Sequence, residues 1–261
     1  MPTISVVVPC YPPHQKMIPD LLKALETQTV KPDEIIISLS EVTEDDVSIL
    51  RNEWQELTSI SLQIVGQEIK ALAAVNRNYG AMHSICDYIQ FLDADDIYHT
   101  KLIELVKAAI IKDEPDALIY HLSEDEFNLE DEPVKYRSYS SQELFDKIFP
   151  DKERNTIKEQ YHNSPQLLLE TQVHHGHICI KYSVWEEMPQ EDLEGREDSI
   201  YIRSLLWRWW EGGCKGSGVI VLPEVLTYYK MNIEHKLNYI RARFAQIDLL
   251  ESQGISCEAK Y

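Results

Sequence analysis

Three carboxylates crowd into four positions, Asp93, Asp95 and Asp96, directly after the apolar-rich run Tyr88 to Leu92. In an extended segment Asp93 and Asp95 point to the same side. Two like charges on one side repel each other unless a cation lies between them. Oxygen-only ligation with positions left open suits Mg²⁺ or Mn²⁺ shared with substrate phosphates. A structural reading stands beside this one: Asp95 or Asp96 caps the helix that follows, because acids favour that end. Capping uses a single aspartate, and the spacing alone leaves both readings open. His174, His175 and His177 invite a zinc site, yet no further Cys or His stands at a suitable spacing. The zinc reading is therefore the weaker one for that segment. The aromatic cluster Trp207-Arg208-Trp209-Trp210 is expected in the core.

The elements that must position these residues follow from apolar periodicity. Ser5 to Val8, Glu34 to Ser38, Ser61 to Val65 and Tyr88 to Leu92 read as buried strands. Lys16 to Gln28, Asp46 to Leu57, Ala71 to Ser84 and His99 to Ile111 read as the helices between and after them. This alternation implies a mostly parallel sheet covered by helices, with ligands bound beyond the carboxyl ends of the strands. The three aspartates sit at such an end. After Pro115 the pattern loosens. Ala117 to His121, Gly176 to Lys181 and Val219 to Leu222 read as strands, Ser140 to Gln160 as partly helical, and Ser199 to Trp210 and His235 to Glu251 as helices. Ser123 to Glu132 is an acidic stretch expected as a solvated loop.

The totals narrow the partners. The 261 residues carry 44 acids against 25 bases, a net charge of -19, which argues against nucleic acid or an anionic membrane. Five cysteines, none in a CxxC pair, suit a reduced cytoplasmic chain without disulfides. The opening MPTISVVVPCYPP has no signal-peptide pattern, and no apolar run reaches the length of a membrane span. A soluble protein is expected, with peripheral membrane docking left open.

The segment Arg77-Asn78-Tyr79-Gly80 followed by YIQFLDADD resembles the central signature of the family 2 glycosyltransferases of GT-A fold. SVVVPCY and PDEIIIS resemble the family's first two strands. GHICIKYSVWEE and GREDSIYIRSLL resemble the segment that ends in its Glu-Asp pair. The resemblance implies an α/β fold with a Rossmann-like, mostly parallel sheet. Residues 1–114 would form the nucleotide-sugar-binding half, 115–234 the acceptor-side half of the same domain, and 235–261 a C-terminal helix and tail able to support a homo-oligomer. It implies that Asp93 lies near the ribose and metal, that Asp95 ligates Mn²⁺ or Mg²⁺, and that Ala94 lies between them against the nucleotide. Pro9 and Tyr11 would line the base pocket. Arg77 falls where the family places a basic residue near the nucleotide, though a surface helix arginine pairing with acids is the plainer role. Asp198 would be the general base that deprotonates the acceptor hydroxyl, giving inversion at the anomeric carbon; as an N-cap it would need no chemistry.

Two departures bear on this resemblance. The family's second strand ends in acids, whereas this chain has Ser38-Leu39-Ser40-Glu41, so Ser38 or Ser40 would meet the base unless Glu41 takes that part. Beyond Tyr228-Tyr229-Lys230, where many members carry a histidine, Asn232 stands near the position and His235 three further on; His235 is the expected metal ligand. The function implied is a metal-dependent inverting transferase moving a sugar from a nucleotide-sugar, a UDP-sugar by default, to a hydroxyl of a glycan, lipid or protein, as in polysaccharide biosynthesis. One alternative is a sugar-phosphate nucleotidyltransferase, which would want a Gly-rich loop where CYPPHQK stands. The other is a binding protein that keeps the fold without the chemistry.

Overall fold

The structure, a computed structural model, describes residues 1–123, 128–149, 177–192 and 197–228, and of residues 197–199 the backbone alone. In chain order the elements are β1 (Ile4–Cys10), α1 (Ile18–Glu26), β2 (Glu34–Ser40), α2 (Glu44–Trp54), β3 (Ser61–Gln67), α3 (Ala73–Ala81), β4 (Tyr88–Phe91) and β5 (Ile97–Tyr98). They continue with α4 (Leu102–Asp113), β6 (Ala117–Ser123), α5 (Ser141–Ile148), β7 (Cys179–Lys181), α6 (Tyr182–Glu187), α7 (Glu197–Glu211) and β8 (Val219–Tyr228). One sheet takes in every strand in the order β3-β2-β1-β4-β7-β6-β8-β5. Neighbours β3, β2, β1 and β4 are parallel, as are β6 and β8. Only β7, inserted between β4 and β6, and the short β5 run against them.

Both faces of the central strands are covered, which is why β1 and β2 read as nearly unbroken apolar runs. Successive side chains still go to opposite layers. Val6, Val8, Ile35 and Ile37 pack with Leu22, Leu25, Trp54 and Val106, while Val7 and Ile36 pack with Phe91, Phe145, Leu205 and Trp209. The tryptophan cluster joins this second layer, where the Trp210 ring stacks on Phe145 at 5.4 Å. Capping boxes open α2 (Thr43 with Asp46) and α5 (Ser140 with Glu143), each worth about 1 kcal/mol.

Two elements differ from the sequence expectation. The first helix begins as a tight 3-10 turn at Pro12–Met17 before α1. The last strand runs past Pro223: Tyr120 pairs with Leu222 and His121 with Val225, so Pro223 and Glu224 form a bulge. A proline is tolerated in a strand at such a point, and here its carbonyl accepts from the Tyr136 amide. The expected helix His235 to Glu251 lies outside the described residues, as do the acidic residues 124–127 and the expected helical residues 150–160. No helix among the described residues is long and apolar enough to cross a membrane.

Candidate active site

The site is built at the carboxyl ends of β1, β2 and β4, with α3 pressed onto them. A Cβ at Gly80 would come 2.7 Å from Val7 Cγ1 and 3.0 Å from Ser38 Cβ, so only glycine lets the helix lie this close. That approach buries Asn76 and Arg77 against the strand ends. Arg77 Nη2 donates to Asp93 Oδ1 at 2.8 Å from a side chain only 5% exposed. It is a buried arginine paired with Asp93 and not a surface helix arginine.

Asp93 has a second neighbour. His177, fully buried just before β7, places Nε2 3.5 Å from Asp93 Oδ2 and 3.1 Å from Asp96 Oδ2. The Tyr98 hydroxyl donates to the Asp93 carbonyl at 2.6 Å and lies 3.4 Å from His177 Nε2. Burial pushes the Asp96 carboxyl up from its ordinary range, with His177 pulling the other way. For His177, burial opposes charge most strongly, yet the hydrogen bonds and field of the two carboxylates outweigh it and raise the imidazole to about 9.

One ligand atom from each of Asp93, Asp96 and His177 lies within 4.8 Å of the others. Two carboxylates and one imidazole fit a divalent cation: the oxygens suit Mg²⁺ or Mn²⁺, and the nitrogen moves the preference away from Mg²⁺. The group opens outward through Asp93, whose side chain is 24% exposed, against 1% for Asp96.

Asp95 goes elsewhere. Residues 94 and 95 form a turn that breaks the extended geometry. Asp95 Oδ2 lies 3.9 Å from His14 Nε2, and the His14 ring is 4.2 Å from that of Tyr11. Asp93 and Asp95 therefore do not face a common point through alternation. Neither Asp95 nor Asp96 caps α4, which starts after β5 with Lys101 at its N-cap and no side-chain cap bond. Ala94, the turn residue between them, is buried.

A neutral network occupies the end of β2. Pro9 pairs with Ser38 across the ladder. Ser38 Oγ donates to Asn76 Oδ1 at 2.7 Å, and Asn76 Nδ2 reaches the Cys10 carbonyl at 3.4 Å. Ser40 is fully buried and its hydroxyl has no hydrogen-bond partner among the described residues. Glu41 follows with φ of 58°, a left-handed conformation. The Cys10 thiol is pushed up to about 12 by burial and, secondarily, by the charge of Asp95.

Asn78, the neighbour of Arg77, ties α3 to the other half. Its Nδ2 donates to the Gln190 carbonyl at 2.7 Å, while its Oδ1 accepts from Trp185 Nε1 at 3.0 Å and the Gln190 amide at 3.1 Å. Asp198 is the second residue of α7, inside the helix and past its N-cap position. His235, Asn232 and Lys230, like His174 and His175, lie outside the described residues. The sequence alone leaves Asp96 as one of three clustered acids or a helix cap and weighs His177 only for zinc with His174 and His175, and it does not single out Asn76 or Asn78. Asn78 had a signal in its place beside Arg77; His177 had its place in the histidine group ahead of a strand, with nothing to pair it with Asp93 and Asp96.

This edge of a mostly parallel sheet, with acids and a buried arginine at the strand ends, belongs to a GT-A-type fold. The chain belongs to glycosyl transferase family 2, whose profile matches residues 5–180. It is 29% identical over 146 residues to an uncharacterized glycosyltransferase of Haemophilus influenzae, a match covering 54% of this chain and 47% of that protein, so it spans about half of that relative. Among solved structures, S. aureus TarS in complex with UDP-GlcNAc matches with a TM-score of 0.59 at 16% identity, over 89% of this chain and 60% of that one. Glucosyl-3-phosphoglycerate synthase from Mycobacterium tuberculosis, in complex with Mn²⁺, UDP and glucosyl-3-phosphoglycerate, matches with a TM-score of 0.54 at 14% identity, over 98% and 82%.

Proposed function

We propose that the chain transfers a sugar from a nucleotide-sugar, a UDP-sugar first among them, to a hydroxyl acceptor with inversion, using a divalent cation. The observation that carries this is the buried Arg77–Asp93 pair joined by Asp96 and His177 at the carboxyl edge of the sheet, in a chain of this family. The fold is shared with proteins solved with UDP-GlcNAc and with UDP and Mn²⁺, which supports the donor class.

When bound, the cation neutralises charge on the departing diphosphate. Asp93, Asp96 and His177 would hold it. Asp93 is common to this set and to the one expected from the sequence, Asp93 with Asp95 and His235. Arg77 fixes the Asp93 carboxylate by a charge-assisted hydrogen bond. Pro9, Tyr11, Ser38, Ser40 and Ala94 line the side on which the nucleoside lies. Asp198 accepts the proton of the acceptor hydroxyl. The acceptor oxygen forms its bond to the anomeric carbon as the bond to the diphosphate oxygen breaks on the opposite face, so the configuration inverts.

Calorimetry with UDP and Mn²⁺ tests the donor side. Nucleotide binding should require the metal and disappear in Asp93→Ala; binding that ignores the metal would remove the cation from the account. Asp96→Ala and Asp95→Ala, run in parallel, separate the two ligand sets. Asp198→Asn should keep UDP binding and lose transfer, scored over a panel of nucleotide-sugars. A binding protein without chemistry is the second reading, favoured by the neutral network where the family carries acids. Metal-dependent UDP binding without hydrolysis or transfer of any donor would establish it.

A further inference from the structure

The geometry points to Thr227 as the positioning residue that aims His177 at the divalent-cation site. This rests on the reading that Asp93, Asp96 and His177 hold such an ion. An imidazole ligates a cation through the ring nitrogen that carries no proton, and the partner of the other nitrogen decides which one that is. In His177, Nε2 faces the carboxylates of Asp93 and Asp96. Nδ1, on the other side of the ring, lies 3.2 Å from Thr227 Oγ1. With the hydroxyl oxygen accepting from Nδ1–H, the proton that Nε2 shares with the carboxylates is the one a cation would displace, which puts the ligating lone pair on Nε2, where the carboxylates converge.

Thr227 is itself held in this role. It is fully buried, so water does not compete for Nδ1. It also neighbours the Tyr120 phenol oxygen, where its hydrogen bonding opposes the rise that burial imposes on Tyr120. Gln90 Nε2 donates to the same oxygen at 3.3 Å. Strand pairing sets its place: Thr227 in β8 stands opposite Tyr98 in β5 and Leu122 in β6. Tyr98 is the residue whose hydroxyl holds the Asp93 carbonyl and whose ring meets the His177 ring edge-on at 5.3 Å. Two cross-strand neighbours thus bracket the imidazole, Tyr98 beside Nε2 and Thr227 at Nδ1. A buried threonine that merely satisfied its own hydroxyl would have no consequence for which nitrogen meets the metal.

The test uses the full chain with Mn²⁺ alone, comparing wild type, Thr227→Val, Thr227→Ser and Thr227→Ala. Calorimetry reads affinity, and pulsed electron paramagnetic resonance on protein with ¹⁵N-labelled histidine reads a histidine nitrogen bonded to the ion. Wild type and Thr227→Ser should show that nitrogen. Thr227→Val and Thr227→Ala should weaken Mn²⁺ about 10- to 100-fold, the range for losing a partner of a ligating histidine, and weaken or lose the nitrogen signal. Circular dichroism melting confirms that each variant is folded, and the alanine variant serves if the valine one is not. Valine or alanine variants that bind within twofold of wild type, with the same nitrogen signal, overturn the proposal. Wild type that binds Mn²⁺ with no histidine nitrogen overturns it differently, by removing His177 from the ligands while leaving a metal-dependent transferase intact.

Discussion

Two polar clusters lie side by side at the carboxyl edge of the sheet, and they are built from opposite materials. The one at the end of β4 is ionic: Arg77, Asp93, Asp96 and His177 within hydrogen-bonding reach, largely buried. The one at the end of β2 is neutral: Ser38, Asn76, the Cys10 carbonyl and the buried hydroxyl of Ser40. Helix α3 serves both, giving Asn76 to the neutral cluster and Arg77 to the ionic one. Ionic groups in a low dielectric attract charge strongly, whereas amides and hydroxyls recognise shape and hydrogen-bond pattern without attracting it. The contrast teaches that this edge separates an ionic cluster from a neutral one, within two neighbouring residues of one helix.

Removing Asp93 should break the comparison most severely. Asp93→Ala leaves Arg77 and His177 without the carboxylate they share, and breaking a buried ion pair costs about 3–5 kcal/mol. The partial exposure of Asp93 puts the expectation at the lower end, about 3 kcal/mol by urea denaturation. A loss below about 1 kcal/mol, the scale of exposed ion pairs, would show that the cluster is solvated and that the contrast between the two walls is weak.

Gly80→Ala attacks both clusters at once through their common helix. The added methyl meets Val7 and Ser38 at distances that packed atoms do not tolerate, so α3 must lift from the sheet. Overpacking of this kind costs about 1–3 kcal/mol. Because Arg77 and Asn76 move together, Mn²⁺ affinity should fall along with the melting temperature. A purely thermal effect, with Mn²⁺ affinity unchanged, would mean that Arg77 holds Asp93 without help from the helix.

The neutral cluster is tested by Asn76→Ala. The change removes the acceptor of Ser38 and the donor to the Cys10 carbonyl, and a buried group left unsatisfied costs about 1–3 kcal/mol. The expected loss is near 1 kcal/mol, with Mn²⁺ affinity as in wild type, since no charge is touched. A drop in Mn²⁺ affinity would join the two clusters into one.

How far all this could be read in the sequence depended on whether each contact was local. The runs Ile4–Cys10 and Glu34–Ser40 are apolar because both faces of their strands are covered, and that pattern is local and readable. Asp93 was legible because an acid after a buried strand needs a reason. His177 was not, because β7 reaches Asp93 only by pairing antiparallel between β4 and β6, a long-range arrangement that no spacing encodes. Asp96 was seen as a possible cap because the turn at residues 94–95, which turns Asp95 toward His14, interrupts the alternation assumed from an extended chain. Pro223 hid the second half of β8, and with it Thr227, since a proline inside a strand reads as its end until the bulge is known.

The smallest expected effect sharpens the neutral wall. Glu41 ends β2 in a left-handed conformation with φ of 58° and an exposed side chain. A residue with a Cβ held there costs about 1–2 kcal/mol, and glycine would relieve that strain while adding about 0.5–1 kcal/mol of chain entropy to lose on folding. Glu41→Gly should therefore stabilise the fold by a net amount of about 0.5–1 kcal/mol. The Glu41 amide keeps its bond to the Ile69 carbonyl, so the loop path is unchanged. Affinity for Mn²⁺ should not move. Affinity for UDP measured with saturating Mn²⁺ is the informative reading: unchanged, it leaves recognition of the base to the hydroxyls and amides of the neutral wall. A fall in UDP affinity alone would mean that the strained backbone is kept in order to deliver this carboxylate to the base, and the neutral wall would then carry one charge after all.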